Sequence, residues 1–149
     1  MRIMGVDFGT KRIGIAISDE NSVLAFPKQI VLNDANTFKN ISEIIKKESI
    51  SEIVVGESVD FSGKLNILSG RIELFIIDLK EKFGLPIHKQ KEFLTSVEAR
   101  KSKNQKKDFN QAQAHSRLKQ KKSGRIDAGA ATLILQRYLD KINNKSTKI

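Results

Sequence analysis

The spacing of the apolar residues changes along the chain, and this change limits the possible folds more than any other feature of the sequence. Near the start, short apolar segments at residues 3–8, 12–17 and 28–32 are separated by turn residues, which predicts three consecutive strands. Further on, helical stripes alternate with short apolar runs such as residues 53–56, which predicts buried strands connected by helices. The order β-β-β-α-β-α-β-α-α therefore predicts an α/β protein whose mixed five-stranded sheet carries helices on both faces.

The size of the chain suits one domain. A domain of 149 residues buries roughly two-thirds of its unfolded surface, so it needs no disulfide or structural metal. The chain has no cysteine and two histidines, which excludes a disulfide framework and argues against a zinc site. No apolar run approaches the length of about 18 residues needed to span a membrane, and the first residues lack the apolar core of a signal peptide. We expect a cytoplasmic protein with one domain over residues 1–142 and a tail at 143–149 that frays.

The positive charge is concentrated in one segment. Residues 100–125 hold ten basic side chains against one acid, so this segment carries +9 of the net charge of +10. Such a segment favours a polyanionic partner, nucleic acid ahead of an acidic membrane surface. Within it, residues 102–124 include only Phe109 and Leu118 as large apolar side chains, which predicts a mobile segment. A solvated loop that only keeps the protein soluble is the alternative interpretation.

Asp7 is the first candidate functional residue. It lies among apolar residues in the first predicted strand, where a charge costs free energy unless it is paired or binds a cation. A turn-forming aspartate that accepts hydrogen bonds from the amides of Gly9 and Thr10 is an equally good interpretation. The surrounding string at residues 5–16, Gly-Val-Asp-Phe-Gly-Thr-Lys-Arg-Ile-Gly-Ile-Ala, resembles the opening of the YqgF family, whose members are RuvC-like proteins of the ribonuclease H-like superfamily.

This resemblance continues in order along nearly the whole chain. Residues 53–56 look like the family's fourth strand, Gly-Leu-Pro at 84–86 precedes the fifth, and residues 94–99 resemble the segment after it. Asp127, followed by Ala-Ala at 130–131 and Ile-Leu-Gln-Arg-Tyr-Leu at 134–139, resembles the C-terminal motif. The resemblance implies a ribonuclease H-like fold and a metal-dependent endonuclease associated with trimming the 5′ end of precursor 16S ribosomal RNA, a family earlier proposed to contain Holliday-junction resolvases.

The resemblance also implies a metal site. In this fold an aspartate of the first strand and one of the last helix converge, which maps onto Asp7 and Asp127. Mg²⁺ or Mn²⁺ takes oxygen ligands, and two such ions can activate a water and stabilise the leaving oxygen. The alternative for Asp127 is a carboxylate near a helix N-terminus, which the helix dipole stabilises.

Two departures from the family pattern bear on this site. After the fifth strand the family reads Asp-Glu-Arg, whereas this chain has Lys91, Glu92 and Phe93. After the fourth strand the family reads Gly-Leu-Pro, whereas this chain places Glu57 after the glycine. Either Glu57 or Glu92 completes a metal site with Asp7 and Asp127, or the site has drifted and its activity is weakened or absent.

The remaining candidates bind the nucleic acid. A turn over residues 10–12 offers backbone amides and cationic side chains to a phosphate, although a plain hairpin turn explains the same residues. The predicted nucleic-acid contacts are Thr10, Lys11, Arg12, Lys119, Lys121, Lys122 and Arg125. Structured RNA is the preferred partner ahead of branched DNA, no membrane is involved, and both a monomer and a homodimer are compatible with the sequence.

Two other functions compete with the nuclease. A non-catalytic nucleic-acid-binding factor in ribosome assembly is favoured by Lys91 and Phe93, which replace an acid and a base of the family motif. A nucleotide-binding ATPase is suggested by residues 7–10, which resemble the first phosphate loop of actin-like kinases. Those proteins use two such domains, however, and this chain has the length of one and no second phosphate loop.

Overall fold

A computed structural model describes residues 1–57, 67–91 and 125–147 of the chain. The described strands are β1 (Arg2–Asp7), β2 (Arg12–Ser18), β3 (Ala25–Leu32), β4 (Ile50–Glu57) and β5 (Ile87–Lys91). The described helices are α1 (Thr37–Glu48), α2 (Ile67–Phe83) and α3 (Arg125–Ser146). No helix in these ranges is both long enough and apolar enough to cross a bilayer.

The strands form one mixed sheet in the order β3-β2-β1-β4-β5. The first three strands make an antiparallel meander, while β4 runs parallel to β1 and β5 runs parallel to β4. The predicted mixed five-stranded sheet is therefore confirmed. Because β1 is central and parallel to β4, the carboxyl ends of these two strands meet at the same edge of the sheet.

Side chains alternate between the two faces and build two separate cores. Met4, Val6 and Val55 belong to a buried cluster with residues of α1 and α2. Ile3 and Val54 lie on the opposite face, in a second cluster with residues of α3. Helices on both faces of the sheet were predicted from the sequence, and this arrangement is confirmed.

Two elements are longer in the structure than the sequence predicts. β3 begins at Ala25 and includes Pro27, whereas the sequence predicts a strand from residue 28. Proline is tolerated there because β3 is an edge strand. The tail predicted to fray from residue 143 is helical up to Ser146, and the Asn143 side chain donates a hydrogen bond to the Ser22 carbonyl oxygen at 2.9 Å. Residues 94–99, which resemble a family segment, and the mobile segment predicted at 102–124 lie outside the described residues.

An ion cluster joins the end of α1 to the sheet. Glu48 accepts hydrogen bonds from Arg2 Nη1 at 2.5 Å and Lys28 Nζ at 2.7 Å, and its side chain is 12% exposed. The hydrogen bond from Lys28 is the main cause that lowers the pKa of Glu48, and the charges of Lys28 and Arg2 add to it. Charged Glu48 is thus favoured in the folded state.

We expect Glu48→Gln to lower the free energy of unfolding at pH 7 by up to about 1 kcal/mol. Because folding depresses the pKa of Glu48, its contribution is fully present above the unfolded value near 4.5 and is lost as the pH falls through the folded value. Urea unfolding of both proteins between pH 3 and pH 7 measures this, with the difference vanishing at the acid end. A difference that persists unchanged in acid would contradict the ion-pair explanation.

Candidate active site

Asp7 is the last residue of β1 and stands, half-buried, at the carboxyl edge of the sheet. Strand alternation places Ile3, Gly5 and Asp7 on the face covered by α3, because Ile3 belongs to the α3 cluster while Met4 and Val6 belong to the other. The open carboxyl edge next to parallel strands is a general location for ligand sites in α/β proteins.

Helix α3 runs antiparallel to β1. Near its C-terminus, Asn143 contacts Ser22, and Ser22 Oγ in turn donates a hydrogen bond to the Met1 carbonyl oxygen, next to the start of β1. Further toward its N-terminus, α3 crosses Gly5, where an added Cβ would lie 2.7 Å from Leu135 Cβ and 3.0 Å from the Ala131 carbonyl oxygen. The first turn of α3 therefore points toward the carboxyl end of β1.

Close packing at Gly5 sets the direction in which the first turn of α3 lies relative to Asp7. Asp7 lies two residues beyond Gly5, about 6.6 Å further along the strand. Asp127 lies four residues before Ala131, about 6 Å along the helix in the same direction. The first turn of α3, which includes the backbone at Asp127, thus lies on the same face of the sheet as Asp7 and beyond Gly5 in the direction of the carboxyl end of β1. Side chains of α3 are described from residue 128 onward.

Glu57, the last residue of β4, occupies the opposite face. Ile53 and Val55 pack with α1 and α2, whereas Val54 packs with α3, so Gly56 is the next position on the α3 face. Glu57 follows on the face of α1 and α2, and its cross-strand neighbour is Lys91 of β5. The register therefore places a lysine, not Asp7, beside Glu57; Glu92 lies outside the described residues.

The turn between β1 and β2 presents the predicted phosphate contacts. Thr10, Lys11 and Arg12 are all exposed and follow directly after the carboxyl end of β1. Gly9 allows the chain to reverse, because an added Cβ would lie 2.3 Å from the Arg12 carbonyl oxygen. The structure thus holds the three residues at the same edge of the sheet as Asp7.

Asn33 holds this turn in place, a role that the sequence analysis missed. Its Nδ2 donates a hydrogen bond to the Gly9 carbonyl oxygen at 2.9 Å, and its backbone N–H donates to the Lys11 carbonyl oxygen at 3.0 Å. The sequence signal is the Asn-Asp pair at residues 33–34, which by itself predicts only the end of a strand. An asparagine after an edge strand can hydrogen-bond backbone groups of the neighbouring turn.

The other predicted residues are placed only in part. Arg125 is the first residue of α3, but its side chain and residues 119, 121 and 122 lie outside the described part of the structure. Among the described side chains, no three aspartate, glutamate or histidine residues are grouped closely enough to hold a metal ion. The metal site of Asp7 and Asp127, completed by Glu57 or Glu92, accordingly stays a prediction.

His88 has structural partners. Its Nε2 lies 2.9 Å from Glu52 Oε2, and its ring stacks on Tyr138 of α3 at a centroid distance of 5.1 Å. Burial is the main cause that raises the pKa of the Tyr138 hydroxyl, and the charge of Glu52 raises it further. These contacts tie β4 and β5 to α3.

Comparison with known proteins agrees with this architecture. The fowlpox virus resolvase, solved in complex with substrate Holliday junction DNA, superposes with a TM-score of 0.57 at 17% sequence identity, covering 95% of this chain and 99% of that one. The mixed five-stranded sheet with helices on both faces defines a ribonuclease H-like fold.

The sequence comparisons are more specific. A family model described as "RuvX: Holliday junction resolvase" matches residues 1–141. A "Putative pre-16S rRNA nuclease" of Thermoanaerobacter pseudethanolicus is 37% identical over 97% of this chain and 100% of its own length. A protein of the same name from Chlorobaculum tepidum is 37% identical, with 93% of each chain covered. The chain therefore belongs to the RuvX (YqgF) family.

Proposed function

We propose that this protein is a metal-dependent endonuclease that hydrolyses phosphodiester bonds in the 5′-end processing of precursor 16S ribosomal RNA in the cytoplasm. The observation that carries the proposal is the carboxyl edge of the sheet. There Asp7 shares a face with α3, whose first turn lies toward this edge, beside the exposed turn at residues 10–12. The names of the full-length relatives support precursor 16S ribosomal RNA as the substrate.

The donor set fits Mg²⁺ or Mn²⁺, because both cations prefer oxygen ligands and both candidate core ligands are carboxylates. We assign Asp7 and Asp127 as the principal ligands of a two-metal site. The bound ions would supply an activated water and neutralise the charge that develops on the leaving oxygen. Half-burial of Asp7 leaves that side chain accessible from solvent while the strand fixes its backbone.

The turn after β1 has a separate role in this proposal. Thr10, Lys11 and Arg12 bind the phosphate backbone through amides and cationic side chains, which sets the position of the scissile phosphate beside Asp7. The two hydrogen bonds from Asn33 keep the turn in one shape, so fewer conformations are lost when the nucleic acid binds.

Glu92 is a better third ligand than Glu57, because strand alternation puts Glu57 on the face opposite Asp7 and next to Lys91. We expect Glu57→Gln to retain most of the cleavage rate and Glu92→Gln to lower it by at least about tenfold. Single-turnover cleavage by the two isosteric variants at saturating Mg²⁺ measures the difference. The reverse ranking would assign Glu57 to the metal site.

The basic segment at residues 100–125 is the second proposed nucleic-acid contact, on the basis of its +9 charge. Replacing Lys119, Lys121 and Lys122 by alanine should weaken binding to any sequence. It should also reduce the slope of log Kd against log salt by roughly 0.7 to 0.9 for each phosphate that the variant no longer neutralises. Fluorescence anisotropy over a salt series measures this. An unchanged slope would make the segment a solvated loop and leave phosphate binding to Lys11 and Arg12.

The proposed activity is tested by incubating the purified protein with a structured RNA that carries the 5′ end of precursor 16S ribosomal RNA, and with a four-way DNA junction. Each reaction contains Mg²⁺, Mn²⁺ or a chelator. We expect metal-dependent cleavage of the RNA. Symmetric cleavage of the junction alone would favour a Holliday-junction resolvase, which is how the matching family model is described. Binding without cleavage of either substrate would favour a non-catalytic ribosome-assembly factor.

A further inference from the structure

Asp7 has a glycine beside it on each neighbouring strand. Gly14 of β2 is its antiparallel partner, and Gly56 of β4 follows directly after the pair of valines that aligns β4 with β1. Neither glycine places a side chain next to the Asp7 carboxylate. In the direction of β5, the next side chain in this row of the sheet belongs to Gln90, which pairs with Gly56.

Gln90 lies on the same face of the sheet as Asp7. His88, two residues earlier on β5, stacks its ring on Tyr138 of α3, so this set of alternating side chains faces α3. Gln90 is one step nearer the carboxyl edge and is half-buried. Its Cα lies two strand spacings from that of Asp7, a distance of about 9.6 Å. Within residues 1–57, 67–91 and 125–147, its side-chain amide has no hydrogen-bond partner.

The amide of Gln90 differs in chemistry from the other groups at this edge. It is neutral, and it both donates and accepts hydrogen bonds. A phosphate oxygen only accepts, and the cationic side chains of Lys11 and Arg12 suit it better. The ribose 2′-hydroxyl is the one group of the RNA backbone that both donates and accepts, and DNA lacks it. An amide in the row of Asp7 is therefore matched to the sugar of an RNA strand.

We propose that Gln90 forms a hydrogen bond with the ribose 2′-hydroxyl of a nucleotide next to the scissile phosphate and so gives the site a preference for RNA over DNA. This role rests on the proposed nuclease function, which places the scissile phosphate at Asp7. The glycine between the two side chains leaves room for the phosphate at Asp7 and the adjoining sugar at Gln90. Gln90 is then a specificity-determining residue and not a metal ligand.

Binding to a structured RNA and to its fully 2′-fluoro counterpart tests the proposal without any cleavage. The 2′-fluoro sugar keeps the pucker of RNA but lacks the hydroxyl. In Ca²⁺, fluorescence anisotropy should give the wild type a Kd for RNA that is lower by about fivefold. Gln90→Leu should remove most of this difference by weakening RNA binding alone. Gln29→Leu is the matched control, because Gln29 is exposed and pairs with Ile15, whose side chain is on the opposite face.

Single-turnover cleavage locates the contact, using RNAs that each carry one 2′-deoxynucleotide near the cleaved bond. This series needs no variant. The wild type should slow by about fivefold at one position. Gln90→Leu should cleave that RNA and the unmodified RNA at the same reduced rate, and the midpoint of its Mg²⁺ titration should match that of the wild type.

Three results would overturn the role of Gln90. These are a Gln90→Leu protein that loses affinity equally for RNA and 2′-fluoro RNA, one that keeps the wild-type preference, and one whose Mg²⁺ midpoint shifts while the preference stays. A wild type that binds RNA but never cleaves it would instead contradict the nuclease proposal. The binding comparison alone then decides whether Gln90 recognises the 2′-hydroxyl.

Discussion

Asp7→Asn should lower the rate of Mg²⁺-dependent RNA cleavage by more than about a hundredfold. Loss of a residue that only supports a metal ligand typically costs 10- to 100-fold, so loss of a ligand itself should cost at least as much. The amide keeps the size of the side chain and removes its negative charge. Because Asp7 ends a strand and is only half-buried, the substitution should leave the fold intact. Single-turnover cleavage with excess enzyme measures the effect.

Two further measurements separate catalysis from binding. The Kd of Asp7→Asn for the RNA, measured in Ca²⁺ or without divalent cations, should change little because the proposed phosphate contacts lie in the turn at residues 10–12. Asp140→Asn is the control, since Asp140 is an exposed carboxylate further along α3. If Asp7→Asn cleaves at the wild-type rate, the carboxyl edge of the sheet is not the active site and the nuclease proposal fails there.

Local pattern in the sequence was enough to predict the sheet and its helices. Strands and amphipathic helices differ in the spacing of their apolar residues, and this spacing depends on residues that are near in sequence. The short connections between the first three apolar segments predicted the meander of β1, β2 and β3. The helical stripes between the later strands predicted the helices on both faces of the sheet. The family resemblance then assigned this pattern to a ribonuclease H-like fold.

The candidate site was harder to predict, because it depends on register. A shift of one residue moves a side chain to the other face of the sheet. Glu57 ends β4 just as Asp7 ends β1, and only the pairing of Val6 with Val55 shows that the two acids lie on opposite faces. Asn33 likewise holds the turn through a hydrogen bond to Gly9, which lies 24 residues earlier in the chain. The spacing of apolar residues does not reveal such a contact.

Pro27 gives a related example from the edge of the sheet. Proline argues against a central strand, so the sequence predicts a strand that starts after it. The structure pairs Pro27 with Ala16 next to an irregularity in register between Ile15 and Ala16. Among the described strands β3 has a ladder partner on one side only, which limits what the missing N–H of the proline costs. Whether a strand is central or at an edge is set by the whole topology.

Gly5→Ala should destabilise the protein by about 2 kcal/mol and lower Tm by about 5 °C. The added methyl group would lie 2.7 Å from Leu135 Cβ and 3.0 Å from the Ala131 carbonyl oxygen. Neither atom is the end of a flexible side chain, so β1 and α3 must move apart. This separation also displaces the first turn of α3 from Asp7, and we therefore expect cleavage at 25 °C to fall even while the protein remains folded.

Gly129→Ala is the matched control for this prediction. Gly129 lies in α3, near the crossing with β1, but nothing stands within 4 Å of an added Cβ. Alanine in a helix interior is favoured over glycine, so this variant should gain roughly 0.5–1 kcal/mol. Thermal unfolding of the two variants side by side measures the contrast. Equal losses in both, or a Gly5→Ala protein as stable as the wild type, would mean that β1 and α3 are not held at the close approach that directs the first turn of α3 toward the carboxyl edge of the sheet.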